Sequence, residues 1–389
     1  MPNGIDNGCF YDRIEKIVEK ERIIDMQRKI KSLFSLFLVI ALTFGFLPAV
    51  SLTAAVGDGI AYAVTGGNIY FDPETGVVTG CDESVTEADI PDQIESVAVV
   101  EIGDWAFENC SLLTRVSMPS AVTSIGDCAF MGCSSLTTVT IPRRARYVGG
   151  LAFSGCTSLT EILVDKNNTS FASDHGVLLS RDKKTLYCCP EGKRGEYTAS
   201  VFVTTVMESA FDNCKLITRV VFGDRVKTIQ NFAFNGCSSL VSITLPNSVT
   251  SIGSEAFAGC SLLQRIALPS ELTEIGRMAF TECTSLRAVA VPNSVQTIGD
   301  YAFSYCKSLT LAVLPEALEI LPEGLFLGCS SLTDVQLAGN VTTISKWAFS
   351  DCTALESLSI PESVTSIGQH VFDRCDSLKE INVNEKDTA

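Results

Sequence analysis

The chain has 389 residues, 46% of them hydrophobic and 19% charged, with a formal net charge of −16. That composition supplies a large buried core, and the acidic balance argues against nucleic acid or an anionic membrane surface as the main partner, since either needs a basic face. Two histidines, His175 and His370, leave little for imidazole chemistry, while sixteen cysteines demand a structural explanation.

Residues 1–25 are polar and charged and match nothing downstream, so translation is expected to start at Met26, with a cytosolic tail as the alternative. A short basic stretch at Met26–Lys31 precedes an uncharged apolar run, Leu33–Val50, and then small residues that include Ala54-Ala55 and Ala61-Tyr62-Ala63. These are the three parts of a secretory signal peptide, so residues 26–63 are read as one, cleaved after Ala63 or Ala55. The alternative is a retained membrane anchor at 33–50, near the lower length limit for a spanning helix. Residues 64–84 read as a hairpin: Asn68–Phe71, a turn through Asp72–Gly76, then Val77–Thr79. It is expected to cap the core that begins at residue 85.

From residue 85 onward the chain is periodic. Phe107, Phe130 and Phe153 are 23 residues apart, as are Phe211, Phe234, Phe257, Phe280, Phe303, Phe326, Phe349 and Phe372. Three residues after each stands a cysteine, and three further on a Leu or, once, Ile217. In Leu240-x-x-Ile243-x-Leu245 the apolar positions alternate as in a strand, and Pro246 ends it because proline offers no ladder donor. Val249 and Ile252 turn the chain inward again, and Ala256-Phe257 is expected on a short helical or 3-10 turn. The residue before the cysteine is Gly, Asn or Asp in eight of eleven units, which predicts a left-handed corner there. One 23-residue coil cannot bury its own apolar face, whereas stacked coils bury Leu on Leu and Phe on Phe. The ladder cysteines, Cys110 to Cys375, are therefore read as small buried hydrophobes with free thiols, in poor geometry for disulfides and unable to surround a metal. Free thiols in an exported protein would suit a reducing habitat. The off-ladder pair Cys188-Cys189 is read as two strand residues.

The phase breaks once. Between Phe153 and Phe211 lie two periods plus twelve residues, and 165–197 reads as a β-hairpin insertion with a charged turn at Arg181–Lys184, expected to project from the scaffold. The last residues, from Ile381, repeat the start of that long unit.

The L-x-x-L-x-L spacing with a 20–29-residue period is the leucine-rich-repeat signature, and the chain resembles the bacterial BspA-like leucine-rich-repeat family over roughly 85–389. The leader segments Gly67-Asn68-Ile69-Tyr70-Phe71 and Thr86–Pro91 extend the likeness, and long units of the kind at 165–197 occur in that family. The resemblance implies a repeat solenoid: a curved array with a parallel β-sheet on its concave face, short helical or 3-10 turns or short strands on the convex side, and an N-terminal β-hairpin cap. It also implies a secreted or surface protein that binds host matrix or cell surfaces, its partner an extracellular protein or glycoprotein.

Signals for chemistry are absent: no phosphate-binding loop, no G-x-S-x-G, no H-E-x-x-H and no dinucleotide fingerprint. Ser173, Asp174 and His175 are neighbours in sequence only, and Arg143, Arg144 and Arg146 read as a solvated loop. No cofactor, metal or small-molecule substrate is expected, and the chain is read as a monomeric non-enzyme. On the sheet, outward positions fall two and four residues after each ladder Leu. Most are polar or small, but Leu311 and Val313 point out while only Ala312 points in. With Ala267, Ala288 and Ala290 they form an apolar strip, the candidate binding site. The competing reading is an envelope structural protein that self-associates.

Overall fold

In each repeat the alternation of Leu, Ile and Leu makes a short strand, and the proline after it forces a turn. In the computed structural model, which describes residues 59–384, these strands stack in parallel along the chain. Arg219–Val221 lies beside Ser242–Thr244, and Ala288–Ala290 beside Leu311–Val313, which in turn pairs with Asp334–Gln336. A second parallel ladder forms where the Thr-Ile or Ser-Ile pairs recur. Ser251–Ile252 pairs with Thr228–Ile229 on one side and Glu274–Ile275 on the other. The result is a β-solenoid of about thirteen turns. Among the described residues there is no helix, and so none long and apolar enough to cross a membrane. The run Leu33–Val50 and the segment before it lie outside the described residues.

The Ala-Phe corner is a turn, not the helical or 3-10 turn expected as one possibility. Its N–H groups point along the stack: Glu255, Phe257 and Gly259 donate to the carbonyls of Arg277, Ala279 and Thr281 on the next coil at 2.8, 2.8 and 2.9 Å. That geometry requires left-handed residues. All eleven residues before the ladder cysteines have positive φ, including Glu282, Tyr305 and Arg374, whose types do not favour it. A second set lies four residues earlier, from Trp105 to His370, and also has positive φ in every coil. A helix cannot pass through two such residues flanking each Phe.

Behind the corner the Phe rings stack into a column. From Phe211 to Phe372 successive centroids are 4.6 to 6.1 Å apart, with ring planes within 21°. Each buried ring contributes ~1.5–3 kcal/mol by burial alone, with about 0.5–1.5 kcal/mol more from each ring pair. The ladder cysteines do more than fill space. The thiol of Cys260 donates to the Phe234 carbonyl at 3.2 Å, and the same bond to the Phe of the preceding coil recurs, Cys214 excepted, from Cys133 to Cys375 at 3.0 to 3.3 Å. A cysteine is thus a small hydrophobe that also satisfies a buried acceptor. Burial pushes the thiols from Cys237 to Cys352 up, Cys306 to about 12. Cys110 departs from the expected free state: it is disulfide-bonded to Cys81. It is the first of the series and meets the cap rather than another coil.

The cap has three antiparallel strands, Ile60–Val64, Gly67–Asp72 and Val77–Cys81, one more than the hairpin read from the sequence. The third begins the parallel ladder by pairing with Glu101–Ile102. Asp82 holds the cap together, accepting hydrogen bonds from the Asn68 backbone and amide and from the Tyr70 hydroxyl at 2.8, 3.0 and 2.6 Å.

At the long unit the strands Phe171–Asp174, Val177–Ser180 and Thr185–Cys188 run antiparallel, and the last joins the second ladder by pairing in parallel with Thr205–Val206. The hairpin does not project. Val177, Leu178, Leu179 and Leu186 are fully buried, while the charged turn, His175 and Tyr187 are exposed. Three consecutive apolar residues bury both faces of their strand: Leu178 belongs to the core of the preceding coils, Val177 and Leu179 to that of the following ones. Asn168 fixes the entry, donating to the carbonyls of Pro142 and Ala145 and accepting from the N–H groups of Ser170 and Phe171.

Candidate functional site

The outward positions of the strand face are set by the ladder leucines. Leu286 and Leu309 are fully buried, which places Ala288, Ala290, Leu311 and Val313 on the outer surface. The register puts Ala288 beside Leu311 and Ala290 beside Val313. The alanines are exposed, whereas Leu311 and Val313 are half-buried because they pack over the small neighbours. Ala312 faces inward and is fully buried, so the strand holds its register despite the small core residue.

The coil before these strands behaves differently. Residues 264–268 form no strand, so one sheet ends at Ser242–Thr244 and the next begins at Ala288–Ala290. Among the described residues, the backbone of 265–268 makes no hydrogen bond to either neighbouring coil, and only Gln264 is reached, by the Arg287 N–H at 3.3 Å. Ile266, at the inward slot, is only partly buried. Where the ladder lapses, the surface dips. A depression of about 430 Å³ is lined by the apolar residues Ile266, Ala288, Val289, Ala290, Leu311 and Val313, with Arg265 and Arg287 at its border.

The structure therefore brings together four of the five strip residues read from the sequence. Ala267 is exposed on the adjoining coil but does not line the depression. Ile266 and the two arginines belong to the same surface and escaped the sequence reading. The register identifies Arg265 as an outward residue, but nothing in the sequence signals that the strand lapses there.

Other groups with potential chemistry do not converge. The Ser173 hydroxyl donates to the Ile162 carbonyl at 2.6 Å, Asp174 pairs with Lys183 at 3.0 Å, and the largely exposed His175 ring lies 3.9 Å from Asp174. His370 sits at the surface against Asp373, 2.6 Å away, and beside Trp347. Cys188 and Cys189 are both free thiols. Among the described residues no three His, Cys, Asp or Glu side chains are placed to hold a metal ion. Glu191 is buried and accepts the Gly155 N–H at 2.5 Å. Burial raises its carboxyl to about 7, against the lowering effect of the Gly155 bond.

Comparison with known proteins bears on this surface. The profile of the BspA type leucine rich repeat region matches residues 79–175, 204–329 and 296–389, in six copies. A leucine-rich repeat protein from Bacteroides ovatus is similar at 29% identity, over 83% of this chain and 89% of that one, with a TM-score of 0.59. A leucine rich cell surface protein from Faecalibacterium prausnitzii is similar at 27% identity, over 85% and 97%, with a TM-score of 0.55. A leucine-rich repeat protein from Eubacterium ventriosum shares the fold at 23% identity, over 85% and 97%, with a TM-score of 0.51. No protein of curated function matches.

Proposed function

Since this chain belongs to the BspA-type leucine-rich repeat family, we propose that it is an exported protein-binding module, without chemistry of its own, that adheres to an extracellular protein or glycoprotein such as host matrix. The observation that carries this reading is the apolar depression on the strand face. Repeat solenoids offer extended surfaces to partners, and an apolar dip in a mostly polar face is the kind of surface that a partner covers. Export rests on the leader-like sequence at 26–63 and on the likeness to a relative described as a cell surface protein. Cleavage after Ala55 would leave the strand Ile60–Val64 whole, whereas cleavage after Ala63 would cut it.

The test is binding of purified 57–389 to a panel of extracellular-matrix and epithelial surface proteins, beside the double variant Leu311→Asp/Val313→Asp. Specific binding that the folded variant has lost is the expected result. Binding that the variant retains would move the site off this face. No binding by either protein would overturn the adhesion reading, leaving self-association, measured by concentration-dependent light scattering, as the alternative to pursue.

A further inference from the structure

Cations on the strand face of this molecule are matched by carboxylates one coil back. Arg115 is gripped by Asp89 at 2.7 Å and Glu87 at 3.0 Å. Arg219 faces Glu196 at 3.6 Å, and Lys379 faces Glu356 at 3.2 Å. The 23-residue phase makes the rule explicit: the residue that must supply the carboxylate lies one period earlier, or on the coil before. Two arginines break the rule, and both border the depression. Arg265 is preceded by Ser242, and Arg287 by Gln264. Both are exposed, and neither forms an ion pair among the described residues. In a chain of net charge −16, two unmatched guanidinium groups beside an apolar dip of this face are a localised exception to the charge pattern.

Resting on the proposed binding role of this face, we infer that the depression takes an extended acidic segment of a partner protein. Side-chain carboxylates would meet Arg265 and Arg287, and aliphatic residues would lie over the Leu311–Val313 strip. The spacing suits such a ligand. Arg265 and Leu311 occupy the same strand position two coils apart, roughly 10 Å at the usual interstrand distance. About three extended residues span that length. A guanidinium binds a carboxylate through two parallel N–H donors, which supplies orientation, while the apolar strip supplies burial. Lysine-rich or uncharged segments would leave both arginines unmatched and lose that contribution.

The probe is an acetylated, amidated hexapeptide with two adjacent glutamates and, two residues later, two valines, compared with its glutamine counterpart by isothermal titration calorimetry against 57–389. Blocked termini remove any terminal carboxylate from the comparison. The acidic peptide should bind about tenfold more tightly at low salt, and the preference should shrink as salt screens it. Arg265→Gln/Arg287→Gln, a surface change with little effect on folding, should abolish the preference. Leu311→Asp/Val313→Asp should abolish binding of both peptides. Equal binding of the two peptides, or a preference that survives the arginine changes, overturns the acidic-ligand inference. If those peptides still depend on Leu311 and Val313, the strip reading stands without it. Binding of neither peptide, or binding indifferent to Leu311 and Val313, overturns this inference, and in that case the protein panel decides separately whether the strip binds anything at all.

Discussion

The regular coils from Phe211 to Phe372 and the long unit between Phe153 and Phe211 solve the same packing problem in different ways. In the regular coils each buried group meets its own kind one period away. Phe stacks on Phe, each thiol meets a Phe carbonyl, and the Phe N–H groups from Phe211 to Phe349 (except that of Phe303, which meets Leu325) are each satisfied by an Ala or, at Phe349, Val371. In the long unit the period fails and substitutes appear. Tyr197 takes the place before Phe211 in the ring column, 5.9 Å away and tilted by 52°. The Cys214 thiol meets the Cys189 carbonyl at 3.5 Å instead of a Phe carbonyl. A carboxylate, Glu191, is buried where the regular coils bury none, and the Tyr197 hydroxyl is buried without a hydrogen-bond partner among the described residues. Repetition lets one satisfied arrangement be copied, and an interruption must be satisfied separately. The molecule's avoidable costs collect at the interruption.

Four substitutions measure that difference. Phe257 has a ring on each side at 5.2 Å, so Phe257→Ala removes two stacking contacts and should cost about 3–5 kcal/mol in denaturant unfolding. Among the described residues Phe153 stacks only on Phe130, and its replacement by Ala should cost less. Equal costs would mean that the column carries no stacking contribution. Glu191→Gln should act in the opposite direction and depend on pH. The folded-state value of about 7 lies above the ordinary 4.5. Below pH 4.5 the carboxyl is protonated folded or unfolded, and the change is neutral. As pH rises from 4.5 to 7 the unfolded chain ionises more readily, so the native protein loses stability, and above 7 the full cost is present. Glu191→Gln should therefore stabilise by about 3 kcal/mol at pH 8 and by nothing near pH 4. A gain independent of pH would assign the effect to packing. The smallest effect belongs to Tyr197→Phe. Removing a buried, unpartnered hydroxyl should leave stability unchanged or raise it by about 1 kcal/mol, whereas a loss exceeding that would show that the hydroxyl is satisfied in solution.

Much of the solenoid is legible in the sequence because its determinants are periodic. Phe, Cys and Leu at fixed offsets define the core, and Gly, Asn or Asp mark eight of the left-handed corners. The second left-handed position leaves no such trace. Trp105, Leu151, Phe232, Met278 and Tyr301 all occupy it, since hydrogen bonding between coils imposes the conformation whatever the side chain. The burial of the hairpin at 177–188 is signalled by three adjacent apolar residues, a pattern outweighed in the sequence by the charged turn beside it. At the candidate site, the apolar strip follows from strand alternation. The lapse of the ladder at 264–268 does not, because Ile266 and Leu268 fit the repeat as well as their counterparts do. The isolation of Arg265 and Arg287 becomes visible only when each cation is compared with the residue stacked against it.

The thiol-to-carbonyl bonds carry a consequence beyond packing. Each ladder cysteine from Cys214 to Cys352 is buried at its own level of the stack, and its raised pKa removes the thiolate that an alkylating reagent needs. It reacts only when its own coil lets go. The series is thus a row of chemical sentinels along the molecule, one to a storey. The rate at which each is labelled would report how often that storey opens, and the free energy of opening, without any probe being added to the protein.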